Sequence, residues 1–176
     1  NATDASGDIV LSWEAPDMQA STFTSTTPGN IGGDAPDEYV IYTSTDGKDY
    51  EYEATVTAPT TTYNVSGKGN GAQVYAFVTA KNDGGESLPS NAAGARVNNG
   101  VPPILIVDGF DRMDFFLSPM QTISGSQYNI NGQDFRRVIP RRINSYDYVV
   151  PTGNAVKDAG SYAFDYCTND AVIDGD

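Results

Sequence analysis

Apolar and polar residues alternate in short stretches through the first half of the chain, and turn-forming residues separate these stretches. Alternation with a period of two is typical of strands that bury one face. Ile9, Leu11 and Trp13 share one face of the first strong strand, which Pro16 ends because proline has no N–H for a strand ladder. The pattern therefore predicts an all-β sandwich with Trp13 in its core.

Further strands are predicted along the same half of the chain. Asp46 and Gly47 provide the positive φ of a tight turn, so the strands on either side of them should form a hairpin. Glycines at positions 67–71 predict an irregular loop. The predicted strands cover residues 39–42, 50–57, 60–65, 73–81 and 91–97.

The second half opens with a different pattern, the continuous apolar run Ile104–Val107. Such a run is typical of a parallel strand that is covered on both faces. A helix is predicted over Asn144–Ala159, ended by Gly160 and kinked or split by Pro151. A second strand is predicted over Ser161–Tyr166. Strand, connection, helix and strand form a βαβ unit, which indicates an α/β domain with a parallel sheet.

These patterns predict a multidomain chain. Residues 1–98 form the sandwich, residues 99–103 a Pro-rich linker, and residues 104–176 the α/β domain. A doubly wound sheet usually has about five strands, whereas residues 104–176 contain two clear ones, so this domain is expected to be incomplete. We expect a downstream segment, a second chain or a symmetry mate to complete it. Residues 1–99, in contrast, should fold alone.

Two motifs in the first half resemble those of a known module. Trp13 lies in Asp-Ile-Val-Leu-Ser-Trp-Glu-Ala-Pro, which starts at Asp8, and Tyr75 lies in Val-Tyr-Ala-Phe-Val-Thr-Ala-Lys-Asn, which starts at Val74. A tryptophan on an early strand and a tyrosine near the start of a late strand resemble a fibronectin type III module. The resemblance implies an immunoglobulin-like sandwich in which the hydroxyl of Tyr75 bonds back to a loop, as a tyrosine corner.

Three motifs in the second half also resemble a family, that of secreted bacterial modular proteins. They are Ile104–Arg112, Arg142–Asp147 and Phe164–Ala171. Similar pairings of modules occur in cell-wall amidase and xanthan-lyase-like proteins. The resemblance implies a secreted, periplasmic or cell-surface protein with glycan or peptidoglycan as its partner. It does not imply that this chain holds the catalytic residues.

The composition excludes several kinds of chemistry. The chain has no histidine and one cysteine, so it cannot form a Ser-His-Asp triad, a Cys-His pair, a histidine zinc site or an intrachain disulfide. Its net charge of −13 repels phosphate backbones, so nucleic acid is not an expected partner. No apolar run reaches the roughly 18 residues of a membrane span. We predict no cofactor and no metal site.

A candidate ligand-binding site is predicted at the carboxyl ends of the two strands of the second half, where open α/β sheets bind ligands. Two carboxylates there could hold a hard cation or act as an acid/base pair. In the alternative, structural interpretation, Asp108 caps a loop, Asp111 pairs with Arg112 or another arginine, and Cys167 is a buried, inert thiol. The candidate residues are Asp108, Asp111, Arg112, Asp165, Cys167 and Asn169.

Two other groups of side chains could contact sugars. Arginine guanidinium groups could bind uronate or phosphate, although they could also neutralise neighbouring carboxylates. Tyrosines could stack on sugar rings, but most lie at alternating strand positions and are predicted to be packed. The clustered arginines are Arg136, Arg137, Arg141 and Arg142.

The leading functional prediction is a non-catalytic spacer plus α/β module of a secreted modular protein that acts on or binds extracellular glycan or peptidoglycan. One alternative is a fragment of a polysaccharide lyase or hydrolase, with Asp108 and Asp165 near the reaction centre. Another alternative is a structural or adhesive cell-surface protein. Whether the chain is an enzyme stays open at this point.

Overall fold

The computed structural model describes residues 1–5, 7–16, 35–110, 120–123, 133–136 and 146–174. The described residues fall into two compact units, and the larger one contains those up to Pro16, residues 35–109 and those from Tyr146 onward. Its elements are β1 (Ala2–Ala5), β2 (Asp8–Ser12), β3 (Glu38–Ser44), β4 (Glu51–Thr57), β5 (Thr62–Val65), β6 (Gln73–Asn82), β7 (Gly85–Glu86), β8 (Ala93–Arg96), β9 (Pro103–Asp108), α1 (Val149–Ala159), β12 (Ala163–Thr168) and α2 (Asn169–Asp174).

The smaller unit is described mainly through a two-stranded antiparallel hairpin. It consists of β10 (Met120–Ile123) and β11 (Gln133–Arg136), with Met120 opposite Arg136. In the sequence this stretch belongs to the connection between the predicted strand and helix of the second half.

No helix within the described ranges is long and apolar enough to cross a membrane.

Ten strands of the larger unit form one sheet that is mostly antiparallel. Its order is β4-β3-β6-β8-β12-β1-β2-β5, with β7 beside β6 and β9 beside β12. The sheet turns back on itself, because side chains from β2 and β5 share one core with side chains from β3, β6 and β8. This mostly antiparallel, nearly closed sheet is consistent with the all-β sandwich predicted for the first half. The buried core residues are Ala2, Ile9, Leu11, Ile41, Val65, Val74, Ala76, Ala95 and Val97.

Trp13 lies at the margin of this core. Its side chain is half-buried, packs against the core cluster and meets the ring of Tyr39 edge-on, with 5.5 Å between the ring centroids. The predicted core position is thus confirmed in part: the indole contacts the core without being fully enclosed.

The second half of the chain adds its strands to this same sheet. β12 pairs with β8 through Phe164 and Arg96, and with β1 through Tyr166 and Ala2. β9 runs parallel to β12 over its whole length. The expected parallel strands are present, but they extend the sandwich, and the described residues around them belong to the same compact unit as the first half. The observed strands thus do not form the separate α/β domain that was expected. The domain limits at residues 98 and 104 stay a prediction.

Helix α1 covers the outer face of β6, β8 and β12. Val149 of the helix lies in a second buried cluster together with Tyr75, Phe164 and Tyr166. Gly153 allows the close approach, because a Cβ at this position would lie 2.6 Å from both the Phe164 ring and the Tyr75 hydroxyl. This second cluster therefore joins the two halves of the chain.

The predicted helix is confirmed at its end and corrected at its start. Gly160 adopts a left-handed conformation, φ 73°, and its N–H donates to the carbonyls of Val156 and Lys157. The helix begins at Val149, so Pro151 lies in the first turn, where the missing N–H costs no helical hydrogen bond. The start expected at Asn144 lies outside the described residues.

The tyrosine-corner prediction for Tyr75 is wrong. Val74 and Ala76 face the sandwich core, so Tyr75, between them on β6, points to the opposite face. There its hydroxyl lies 3.0 Å from the carbonyl oxygen of Val150 and 3.1 Å from Oδ1 of Asn154, both on α1. Tyr75 thus anchors a helix instead of a loop.

Candidate functional site

The predicted carboxylate pair does not assemble in the structure. In the parallel pairing of β9 with β12, Asp108 lies opposite Thr168, and Asp165 lies opposite Leu105. Successive side chains of a strand point to opposite faces, so Asp108 and Asp165, three register positions apart, lie on different faces of the sheet. Of the other candidates, Asp111 and Arg112 lie outside the described residues.

Asp108 lies on the face that α1 covers. Its side chain is 7% exposed, and the hydroxyl of Tyr166 donates to its Oδ2 at 3.1 Å. Burial raises the pKa of Tyr166, and the negative charge of Asp108 raises that pKa further. Tyr166 therefore stays protonated and acts as a hydrogen-bond donor. This geometry supports the structural interpretation of Asp108.

Asp165 lies on the other face, where it ties strands together. Its Oδ1 accepts the backbone N–H of Asp4 at 2.7 Å, and Oδ2 of Asp4 in turn accepts the N–H of Asn98 at 3.1 Å. Burial raises the pKa of Asp165 and the neighbouring Asp4 carboxylate raises it further, while the bond from the Asp4 N–H lowers it. The Asp165 side chain thus links β12 to β1, and the Asp4 side chain links β1 to Asn98, two residues beyond β8.

The raised pKa of Asp165 predicts a measurable pH dependence. The folded state holds this proton more tightly than the unfolded state, so the free energy of unfolding falls as pH rises from about 3.9 through the higher folded pKa. Asp165→Asn keeps an acceptor for the Asp4 N–H and should remove this fall. Urea denaturation of both proteins between pH 4 and pH 7 measures the difference, and the exposed Asp83→Asn is the control. Parallel pH profiles for the wild type and Asp165→Asn would contradict the assignment.

Cys167 and Asn169 lie on either side of Thr168, at the end of β12 and the start of α2. Cys167 is buried and unpaired, as the structural interpretation expected. Asn169 begins α2 directly after Thr168, whose hydroxyl oxygen accepts the N–H of Ala171 at 3.3 Å. Within the described ranges, no cluster of three His, Cys, Asp or Glu side chains could hold a metal ion.

A different surface combines aromatic and polar side chains on the outer face of β3, β4 and β6. Tyr42 lies opposite Tyr52 on one side and Phe77 on the other. The centroids of the Tyr42 and Phe77 rings are 5.0 Å apart in a stacked arrangement, and Tyr50 meets Phe77 at 4.8 Å. Tyr52 is 63% exposed, and the other three rings are half-buried. We call these four residues the aromatic face: Tyr42, Tyr50, Tyr52 and Phe77.

Polar groups border the aromatic face beside β7. Oε1 of Glu86 accepts the hydroxyl of Tyr42 at 3.0 Å and that of Thr79 at 2.6 Å. These two hydrogen bonds, that of Thr79 foremost, lower the pKa of Glu86. Lys81, which pairs with Glu86 across the strands, forms a salt bridge with Glu38. The surface thus combines apolar rings, hydroxyl groups and an ionised carboxylate.

The sequence did not predict this arrangement, because a β-bulge brings the rings together. The register between β3 and β4 shifts between Ile41 and Tyr42, so Tyr42 lies opposite Tyr52. Regular pairing continued from Ile41 and Ala54 would place Glu53 opposite Tyr42. The two turn residues at 46 and 47 indicate a hairpin, but they contain no signal for a bulge five residues away.

Comparisons with known proteins leave the family open. No family model matches this sequence, and no curated protein matches it. A β-1,2-glucanase from Parabacteroides distasonis is similar to the chain at 22% identity and a TM-score of 0.43, over 56% of this chain and 12% of that chain. The twitchin kinase region from C. elegans is similar at 21% identity and a TM-score of 0.42, over 56% of this chain and 15% of that chain. The chain thus spans a small part of both proteins, and similarities this weak assign neither fold nor function.

Proposed function

We propose that this chain is a non-catalytic glycan-binding module of a secreted protein, and that it binds through the aromatic face. The observation that carries the proposal is the cluster of four rings beside an ionised carboxylate, with Tyr52 largely exposed. Tyrosine offers a large apolar surface together with a polar hydroxyl. A pyranose ring presents an apolar C–H face and peripheral hydroxyls, which match the rings and their polar border.

The strand arrangement supports a fibronectin type III-like scaffold for this module. Strands β4, β3, β6 and β8 face strands β1, β2 and β5 across a single core, and Trp13 contacts that core. A mostly antiparallel sheet that folds into two layers around one core approaches the architecture of immunoglobulin-like sandwiches, in which the two layers are separate sheets. The aromatic face lies on the outer side of the four-stranded part, so the scaffold holds it on regular strands instead of loops.

The enzyme alternative receives no support from the described residues. A lyase or hydrolase site was expected to combine Asp108 and Asp165, which lie on opposite faces of the sheet. Each of these carboxylates is bonded to a neighbouring strand, Asp108 through Tyr166 and Asp165 through Asp4. These contacts favour a structural role for both.

The proposal predicts that Tyr52→Ala weakens glycan binding by about tenfold, because the exposed ring loses its contact with the sugar. Isothermal titration of the full chain against neutral β-glucan oligosaccharides, peptidoglycan fragments and xanthan measures this loss. Tyr162→Ala is the matched control, since Tyr162 is 44% exposed and lies outside the aromatic face. Its affinity should equal that of the wild type.

Two results would contradict the proposal. One is the absence of binding to every glycan in the panel, and the other is an equal loss in both tyrosine variants. Capture of a cell-envelope protein by a chain without glycan affinity would favour the adhesive alternative.

A further inference from the structure

We propose that the aromatic face selects neutral glycans over uronate-containing ones, and that Glu86 determines this selection. The inference rests on the proposed glycan-binding function and specifies its ligand class. It concerns one carboxylate whose position is fixed by two neighbouring hydroxyl groups.

Glu86 is oriented before any ligand arrives. Its Oε1 accepts both the Tyr42 and the Thr79 hydroxyl groups, which fixes the carboxylate beside the rings. Among the described residues no side chain donates to its Oε2, and the residue is exposed. Oε2 can therefore accept a hydroxyl group from a sugar stacked on the neighbouring rings. Because the acceptor is charged, such a bond is stronger than one between neutral groups.

The charge of Glu86 determines which ligand groups can form a hydrogen bond with its Oε2. Its two hydrogen bonds lower its pKa, so the side chain is ionised at neutral and mildly acidic pH. An ionised carboxylate only accepts hydrogen bonds, so it binds a sugar hydroxyl and repels a sugar carboxylate.

The described side chains around Glu86 do not reverse this preference. Lys81 is the cation beside Glu86, and its charge is already compensated by Glu38. The net charge of −13 adds a long-range repulsion of polyanions. The clustered arginines, which could bind uronate or neutralise neighbouring carboxylates, lie outside the side chains that the structure describes: Arg136, Arg137, Arg141 and Arg142. The proposed selection therefore rests on the described groups around Glu86 and on the net charge.

A matched pair of ligands tests the selection. The tightest neutral oligosaccharide from the titration panel is compared with the same oligosaccharide after oxidation of its C6 hydroxyls to carboxylates. We expect the full chain to bind the neutral form at least about tenfold more tightly at low salt. This ratio should shrink in 0.5 M salt, because salt screens the repulsion between exposed charges. The salt comparison needs no variant.

A matched pair of variants tests whether Glu86 determines the selection. Glu86→Gln should weaken binding of the neutral form by about tenfold and should narrow the preference for it, because the charged acceptor is lost. Glu51→Gln makes the same charge change at an exposed position of β4 that points away from the rings, and it should change neither value. Thermal melting of both variants verifies that they are folded.

The outcomes separate the inference from the function on which it rests. Equal or tighter binding of the oxidised form would overturn the inference and leave glycan binding intact, as would equal effects of the two glutamate variants. Failure of both forms to bind would overturn the proposed function itself. A preference for the neutral oligosaccharide that depends on Glu86 supports both the inference and the proposed function.

Discussion

Residues 100–176, produced alone, should show no cooperative thermal unfolding, whereas residues 1–99 should fold. All nine buried residues of the sandwich core lie between Ala2 and Val97. The second cluster, in contrast, packs Val149, Phe164 and Tyr166 of the second half against Tyr75 of the first. Removal of the first half therefore leaves these three side chains without the surface that covers them.

The expected loss is large enough to decide the outcome. Burial of each of the three apolar side chains stabilises a fold by about 1.5–3 kcal/mol, and a whole domain is stable by only about 5–15 kcal/mol. Circular dichroism during heating measures the cooperativity of each fragment. Mixing the two fragments should restore a cooperative transition, because β12 can pair again with β8 and β1. A monomeric fragment 100–176 that melts cooperatively by itself would contradict this prediction.

Gly153→Val should destabilise the protein by about 3 kcal/mol, because it inserts volume into the contact between α1 and the sheet. A Cβ at this position would already lie 2.6 Å from the Phe164 ring and from the Tyr75 hydroxyl, and both of these side chains are fully buried. Neither can move aside without displacing the helix. The melting temperature should fall by roughly 6–12 °C.

Ala155→Val provides the matched control for this substitution. It introduces the same β-branched side chain into the same helix at an exposed position, where the cost is limited to helix propensity, about 0.6 kcal/mol. Similar melting temperatures for the two variants would show that α1 does not pack through Gly153.

The strands of the first half could be predicted because their signals are local. Alternation around Ile9 and Leu11, and the turn at Asp46 and Gly47, depend on neighbouring residues, and strands β2 to β6 and β8 lie where these signals indicate. Strands β1 and β7 were not predicted. The apolar run Ile104–Val107 also predicts a strand, but it contains no information about the sheet that the strand joins. In the structure Leu105 is 58% exposed and Val107 is 48% exposed, so one face of β9 is uncovered. Whether a further segment or chain covers it stays a prediction.

The expected proximity of Asp108 and Asp165 depends on non-local register, which the sequence does not specify. Asp108 ends β9 and Asp165 lies within β12, whereas the prediction placed both residues at the carboxyl ends of their strands. The face on which each side chain lies depends on the pairing of Thr168 with Asp108, which no local motif specifies. The aromatic face depends in the same way on a bulge at Tyr42, and the role of Tyr75 depends on a helix about 75 residues further along the chain.

The antiparallel pairing of β1 with β12 has a mechanical consequence for a module in a larger polypeptide. Ala2 lies opposite Tyr166, and the Asn1 side chain accepts the N–H of Thr168 at 3.3 Å, so the start of the first strand lies beside the end of the last strand along the chain. Tension applied through these ends would pull the two strands apart from one end, so the hydrogen bonds between β1 and β12 would break one after another. They would not be loaded together in shear. Attachments at these two points would be about 5 Å apart, the distance between neighbouring strands. The sandwich would then project sideways from the line of tension as a branch.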